Sequence, residues 1–309
     1  MNTDPAPQQG TDAPRVLLVE DDLAQARMIE GMLRTGGGNF EVVHLERLAE
    51  ARQFLRQSRV ACVLLDLTLS DSRALDGLID LRNVAPELPI VVVTADDDES
   101  RAVKAVQVGA QDYLIKGRMD AEHLYRSVMY AIERKRGELL LAHQALHDPL
   151  TGLPNRTLFV DRLTLALAQS ERRTTSVAVL FLDLNDFKSV NDRFGHAAGD
   201  AVLRTVAGRL LSSMRPGDTV ARFGGDEFTI LSPEIARDED SLTIAERLTI
   251  AMSAAFEVAD GTVELSTSVG IALARGIDKK ADAVIHMADE AMYRAKQQSR
   301  AYEFIRTGE

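Results

Sequence analysis

Residues 221–231 read ARFGGDEFTIL: two β-forming runs meet at Gly224-Gly225, and two carboxylates, Asp226 and Glu227, follow at once. Glycines permit the positive φ of a tight turn, so the stretch predicts a β-hairpin with acids at its tip. By itself such a tip is an ordinary solvated turn. Working outward, SVAVLFLD (176–183) is a buried strand that delivers Asp183 to its end, ahead of the polar block running to Asp200. Three acids on neighbouring strand ends repel one another, and that repulsion points to a bound cation. The hairpin, the buried strand, VELSTSVGIALA (263–274) and a terminal helical stretch make residues 148–309 an α+β half.

The first half has another rhythm. RVLLV (15–19), FEVVH (40–44), VACVLLD (60–66), PIVVV (89–93) and DYLI (112–115) are near-continuous apolar strands separated by amphipathic stretches. In the first such stretch Ile29, Met32 and Leu33 share one helix face. That alternation predicts an α/β, flavodoxin-like (βα)5 domain over 15–119, with its site at the carboxyl ends of the strands. TGGGNF (35–40) lacks the Gly-Lys-Ser/Thr of a phosphate loop and reads as a turn. Residues 120–147 form a long linking helix. Val128, Ile132, Lys135, Leu139, Ala142 and Leu146 step by 4 and 3, which is a coiled-coil seam or one amphipathic helix packed on its own domain. Gly137 weakens that helix locally. Residues 1–14 read as a disordered tail.

The chain has 309 residues, 45% of them hydrophobic, enough for two cores, and a formal net charge of −11. Such a surface disfavours nucleic acid, whose binding rests on Lys and Arg. No run is long enough for membrane insertion, no secretory signal pattern opens the chain, and the one cysteine, Cys62, sits inside an apolar strand. A cytoplasmic protein is expected.

In the first half Glu20-Asp21-Asp22 end the first strand and Asp66 ends the third, so acids converge on one sheet edge. Asp22 has a further role open to it as a helix N-cap. Thr94 ends the fourth strand, and Tyr113 and Lys116 lie in and after the fifth. This half resembles a response-regulator receiver domain. The resemblance implies phosphorylation of Asp66 by a sensor histidine kinase, with Glu20, Asp21, Asp66 and the Thr68 carbonyl around Mg²⁺. It makes Thr94, Lys116 and Tyr113 the switch residues. A phosphoryl group adds a charge of about −1.5 to −2, which needs such a cation and donors. Gly117 stands where that family usually has proline.

The second half resembles the GGDEF diguanylate cyclases. HDPLTGLPNR (147–156), FLDLNDFKSVNDRFGHAAGD (181–200), RFGGDEF, STSVGIA and ADEAMYRAKQQSR (288–300) stand in family order. The resemblance implies a palm-like domain, with a central, mainly antiparallel sheet and flanking helices, that condenses two GTP into cyclic di-GMP. It makes Asp183, Asp226 and Glu227 catalytic. The same three acids, with the Leu184 carbonyl, hold Mg²⁺ or Mn²⁺. Asn191 and Asp200 read guanine, while Phe187, Lys188, Gly224, Gly225, Lys296 and Arg300 contact the rest of the nucleotide. RPGD (215–218) matches the family's inhibitory product site through Arg215 and Asp218. One domain holds one GTP, so a homodimer is implied. Asn185 replaces a frequent Asp and Ser299 a frequent Gly, the latter with little consequence expected. His196 has no second His or Cys nearby at metal spacing and reads as a helix-start residue. The alternatives are an inactive GGDEF module that senses GTP or cyclic di-GMP, and a scaffold working through partner contacts. An ATP cyclase is disfavoured by Asp200 with Asn191.

Overall fold

The computed structural model describes residues 13–73, 75–95, 99–173, 175–259, 261–275 and 280–306. The expected N-terminal tail lies outside them up to residue 12. The chain divides after Leu141 into two compact units.

The first unit runs β1 (Arg15–Val19), α1 (Leu23–Thr35), β2 (Glu41–Leu45), α2 (Leu48–Gln57), β3 (Cys62–Leu65) and α3 (Asp76–Val84). It continues with β4 (Ile90–Thr94), α4 (Glu99–Val108), β5 (Asp112–Ile115) and α5 (Ala121–Leu146), the last crossing the division. The strands form one parallel sheet in the order β2-β1-β3-β4-β5. Alternate strand residues point to opposite faces. Leu17, Val19, Val63 and Leu65 pack with α2 and α3, while Val16, Leu18, Cys62 and Leu64 pack with α1 and α5. Both faces are therefore covered, which is why the strands are apolar throughout. Burial pushes the Cys62 thiol up to about 12, so it is an inert core group.

Two of the expected seam residues, Val128 and Ile132, pack on the first unit's own core. Val128 is fully buried in the core beneath α5, beside Leu124 and Ala131, so it has no face left for a second helix. Leu139, Leu140 and Leu141, further along the same helix, are exposed. The helix passes through Gly137 without a break. TGGGNF is the turn between α1 and β2; a Cβ at Gly36 would stand 2.4 Å from the Ala121 carbonyl, so its glycine admits the start of α5.

The second unit runs α6 (Arg156–Arg173), β6 (Ser176–Leu184), α7 (Phe187–Phe194), α8 (His196–Ser213), β7 (Thr219–Gly224), β8 (Glu227–Ile235) and α9 (Asp238–Met252). Then come β9 (Phe256–Val258), β10 (Gly261–Val263), β11 (Thr267–Ala274), α10 (Ala281–Gln297) and β12 (Tyr302–Arg306). The main sheet has the order β12-β11-β6-β8-β7, antiparallel except for the parallel β11–β12 pair. β6 is central and buried along its whole length. Its residues Ala178, Leu180 and Leu182 face a core shared with α7, α8 and α9, and Val177, Val179 and Phe181 face α6 and α10. The stretch 263–274 is not one strand: β10 ends at Val263, pairs with β9 as a separate hairpin, and β11 begins at Thr267. Ser266 between them accepts from the Asn185 N–H at 2.9 Å, so its backbone serves the loop after β6.

Candidate active site

At the carboxyl edge of the parallel sheet, Glu20, Asp21 and Asp66 bring carboxylate oxygens within 4.8 Å of one another. Glu20 and Asp66 are buried, and Lys116 lies between them, its Nζ 2.6 Å from Glu20 Oε2 and 2.8 Å from Asp66 Oδ2. Burial, with Asp66 adding to it, raises the Glu20 carboxyl above its ordinary range, although Lys116 opposes the rise. The loop after β3 is wound onto the acids: the Thr68 N–H and hydroxyl donate to Asp66 at 3.1 and 2.7 Å, and the Ser70 N–H to Asp21 at 2.9 Å. Thr94 is buried at the end of β4, and its carbonyl accepts from the Lys116 N–H. Tyr113 is half-buried against the core. Asp22 caps α1, accepting from the Ala24 and Gln25 N–H groups, and its carboxyl is held low by those bonds.

In the second unit the register sets Asp183 on β6 opposite Glu227, the first residue of β8, and opposite Ser268 of β11. Gly224 and Gly225 have φ of 150° and 53°, so the turn uses the freedom that only glycine offers cheaply. Asp226 sits half-buried in that turn. Burial raises its carboxyl, and the charge of Asp183 adds to the rise. Glu227 is raised by burial first and then by Asp289, Asp183 and Asp226. Lys296 of α10 sits among them, 2.5 Å from Asp183 Oδ1. Hard oxygen donors under mutual repulsion suit a divalent cation. Among the described residues, however, only Glu20, Asp21 and Asp66 bring three carboxylates within 4.8 Å of one another; the three acids here do not, and Asp183 is paired with Lys296.

Lys296 and Arg300 line a cavity of about 760 Å³ together with Asn185, Asp186, Ser266 and Thr267. Arg300 also pairs with Glu303 at 2.9 Å. Lys188 is exposed at the start of α7. The Phe187 side chain, at the head of α7, is buried in the core. Asn191 and Asp200, on α7 and α8, do not line the cavity. Leu184 is buried at the end of β6, its side chain in the core. His196 is the exposed first residue of α8. Ser299 stands at φ 52° just after α10, a left-handed position that glycine fills at lower cost, so the replacement carries strain. Asn185 is pinned from both sides: its amide donates to Ser266 Oγ at 2.9 Å and its carbonyl accepts from Ser268 Oγ at 3.2 Å. Arg215 and Asp218 pair at 3.2 Å. The Asp218 carboxylate is buried and also accepts from Ser232 Oγ, while the Arg215 fork donates to the Pro233 carbonyl.

Three residues were missed in the sequence reading. Asp289 faces Glu227 from α10, a proximity that sequence spacing does not carry. Arg222 donates through Nε and Nη2 to the Gly225 carbonyl, at 3.1 and 2.7 Å, and so clamps the acidic turn. Its Nη1 donates to both oxygens of Asp148, at 2.9 and 3.1 Å. Asp148 stands just beyond α5, where the Asn155 N–H and side chain also hold the last carbonyls of that helix. Burial opposes the Asp148 charge, but bonds from Thr151 and Arg222 outweigh it and the carboxyl is held low. Asp148→Ala is expected to cost about 2 kcal/mol, because the Arg222 charge is then left largely buried and unpaired. A carboxyl held low contributes stability that is complete above its unfolded value, about 3.9, and is lost as the pH falls through the folded one. Denaturant melts from pH 7 to 3 check both points: the variant should start lower and lose less on acidification.

The GGDEF family model, described as "Diguanylate cyclase, GGDEF domain", matches residues 145–301, and "Response regulator receiver domain" matches residues 16–128. The chain is 47% identical over 161 residues to Diguanylate cyclase TpbB of Pseudomonas aeruginosa, covering 52% of this chain and 37% of TpbB. It is 32% identical over 298 residues to Response regulator PleD of Caulobacter vibrioides, covering 93% of this chain and 64% of PleD. The chain thus spans less than two thirds of the length of each of these relatives. Among solved structures, the coiled coil and GGDEF domain of DgcB from Caulobacter crescentus, in complex with c-di-GMP, aligns at a TM-score of 0.52 and 28% identity. That alignment covers 59% of this chain and 96% of that one. Among the described residues no helix is long and apolar enough to cross a membrane. With half of its length matched by the family model and the motif acids gathered at one end of an antiparallel sheet, this chain belongs to the GGDEF family and carries a response-regulator receiver domain ahead of its GGDEF domain.

Proposed function

We propose that the chain is a diguanylate cyclase controlled by phosphorylation of Asp66. The observation that carries the cyclase reading is the facing pair Asp183–Glu227 with Asp226 in the adjoining turn and Lys296 between strand and helix. In this reading the carboxylates of Asp183, Asp226 and Glu227, with the Leu184 carbonyl, hold Mg²⁺, or Mn²⁺ in its place. The bound cation supplies charge screening on the triphosphate and lowers the pKa of the ribose 3′-hydroxyl. Lys296, Arg300 and Lys188, with the backbone around Phe187, Gly224 and Gly225, keep the phosphates in line. Asn191 and Asp200 read guanine; the Asp200 carboxylate accepts from N1–H and the exocyclic amine, a pair that adenine lacks. Asp226 takes the 3′-hydroxyl proton as the oxygen attacks the α-phosphorus of the second GTP. One P–O bond forms, the bond to pyrophosphate breaks, and the second such transfer closes cyclic di-GMP.

Two domains must face each other for both transfers, so the working form is a homodimer. The exposed Leu139, Leu140 and Leu141 on α5 supply apolar surface for it. A sensor histidine kinase is the phosphodonor: the phosphoryl group passes from its histidine to an Asp66 oxygen. Glu20, Asp21 and the Thr68 carbonyl hold the divalent ion there, Thr94 and Lys116 meet the new oxygens, and Tyr113 reports the change. Arg215 and Asp218 form the inhibitory site for the product, in which the arginine fork turns outward from Pro233 to the ligand. The cytoplasm is where GTP and the kinase domain are met.

Pure protein with GTP and Mg²⁺, with and without the phosphoryl mimic beryllofluoride, tests this. Cyclic di-GMP should form, and beryllofluoride should raise its rate by about tenfold or more, the effect of a coupling of roughly 1.4 kcal/mol. Asp66→Asn should keep the basal rate and lose the response. A chain that binds GTP yet forms no product would be the sensor module instead.

A further inference from the structure

We infer that Gly199 is a positioning residue that sets guanine selectivity, because the space left by its missing Cβ is the space in which the Asn191 amide stands. A Cβ built on Gly199 would lie 2.0 Å from Asn191 Oδ1 and 3.0 Å from its Cγ, with Phe187 Cζ at 3.2 Å. The Oδ1 distance is shorter than a Cβ tolerates and the Cγ distance is tight, so the amide at the end of the Asn191 side chain must shift, while Phe187 beside it is buried in the core. The inference rests on the reading of Asn191 and Asp200 as the guanine readers.

Glycine inside a helix costs up to about 1 kcal/mol relative to alanine, so its place in α8 asks for a reason. Gly208, in the same helix, has nothing within 4 Å of a built Cβ. At Gly199 the neighbour is the polar head of a half-buried side chain on α7, one residue before Asp200. Among the described residues neither the Asn191 amide nor the Asp200 carboxylate is held by a protein hydrogen bond. With no partner to hold it, the amide is placed by contact alone. The α7 face fixes its root, Phe187 closes one side, and the absent Cβ opens the other. Adding a methyl group would displace the amide from the place it now holds while leaving the acids at the sheet end untouched.

The test is calorimetric titration of the full chain, in Mg²⁺, with the α,β-methylene analogues of GTP and ATP, which release no pyrophosphate. Gly199→Ala should bind the GTP analogue about tenfold more weakly, the loss of one well-placed hydrogen bond, and its preference over the ATP analogue should shrink in step. Asn191→Ala should show the same loss. The double variant should be no worse than Asn191→Ala, since two changes acting through one group do not add. Gly208→Ala should bind as the wild type. Wild-type binding by Gly199→Ala, or a double variant showing the sum of the single losses, overturns the inference. Wild-type binding by Asn191→Ala overturns it differently, by removing the guanine readers themselves. Should Gly199→Ala fail to fold alone, the double variant decides: it has room for the methyl group, and its failure to fold would show that the glycine serves packing only.

Discussion

Asp226→Ala is expected to abolish cyclic di-GMP formation, lowering the rate by about 10³-fold or more while the domain stays folded. Asp226 stands in a two-residue turn between β7 and β8, half-buried, so its truncation empties no core. The turn itself is held by Gly224 and Gly225 and by the Arg222 bonds to the Gly225 carbonyl, none of which uses the Asp226 side chain. In the proposed mechanism what is lost is a carboxylate for the cation and the acceptor of the 3′-hydroxyl proton. Each 1.36 kcal/mol is a factor of ten in rate, and removing a share of metal-based charge stabilisation worth about 4 kcal/mol gives the expected fall. The measurement is product formation under single-turnover conditions beside a thermal melt. A variant that melts like the wild type and turns over at a comparable rate would end the assignment of the turn as the catalytic tip.

Gly270→Ala should do the reverse, destabilising the domain without altering a functional side chain. A Cβ there would stand 2.0 Å from the Ala288 carbonyl oxygen, 2.1 Å from the Met292 nitrogen and 2.7 Å from its Cα. All three are backbone atoms of α10, so no rotamer relieves the contact and the whole helix must move off β11. Overpacking of that kind costs about 3 kcal/mol or more when the neighbours cannot yield. For a unit of this size that lowers the melting temperature by roughly 6–12 °C. α10 also carries Lys296 and Asp289 to the acids of the site. Any variant that still folds should therefore lose nucleotide affinity together with stability. Calorimetry of the full chain, following the transition of the second unit, checks this; an unchanged melting temperature would show that the helix slides freely on the sheet.

Both predictions combine a feature that was visible in the chain with one that was not. The acidic turn was legible because its glycines sit between two strand-forming runs, a purely local signal. The parallel strands of the first unit were legible for the same reason: strands covered on both faces are apolar at every position. Asp183 and Asp66 were found because a buried strand that stops at a carboxylate must place it at a sheet edge. Other features left no local trace. β12 and the β9–β10 hairpin are short, and their pairing with distant partners is what makes them strands. The 4-and-3 stepping along α5 marks one apolar face, whether a second helix or the chain's own sheet covers it. At Val128 only the packing on the first unit reveals that the sheet does.

The sequence alone determined the two fold classes, the order of the domains and the residue types at each site, because these rest on periodicity and on motifs read within a few residues. The tertiary structure alone decided which groups meet. Arg222 reaches Asp148 across 74 positions, Asn185 is pinned by Ser266 across 81, and Lys296 reaches Asp183 across 113. Gly199 and Gly270 are indistinguishable from any other glycine until the neighbouring helix is in place. Contact between distant residues depends on how whole elements pack, and packing is a property of the assembled cores rather than of any one stretch of chain.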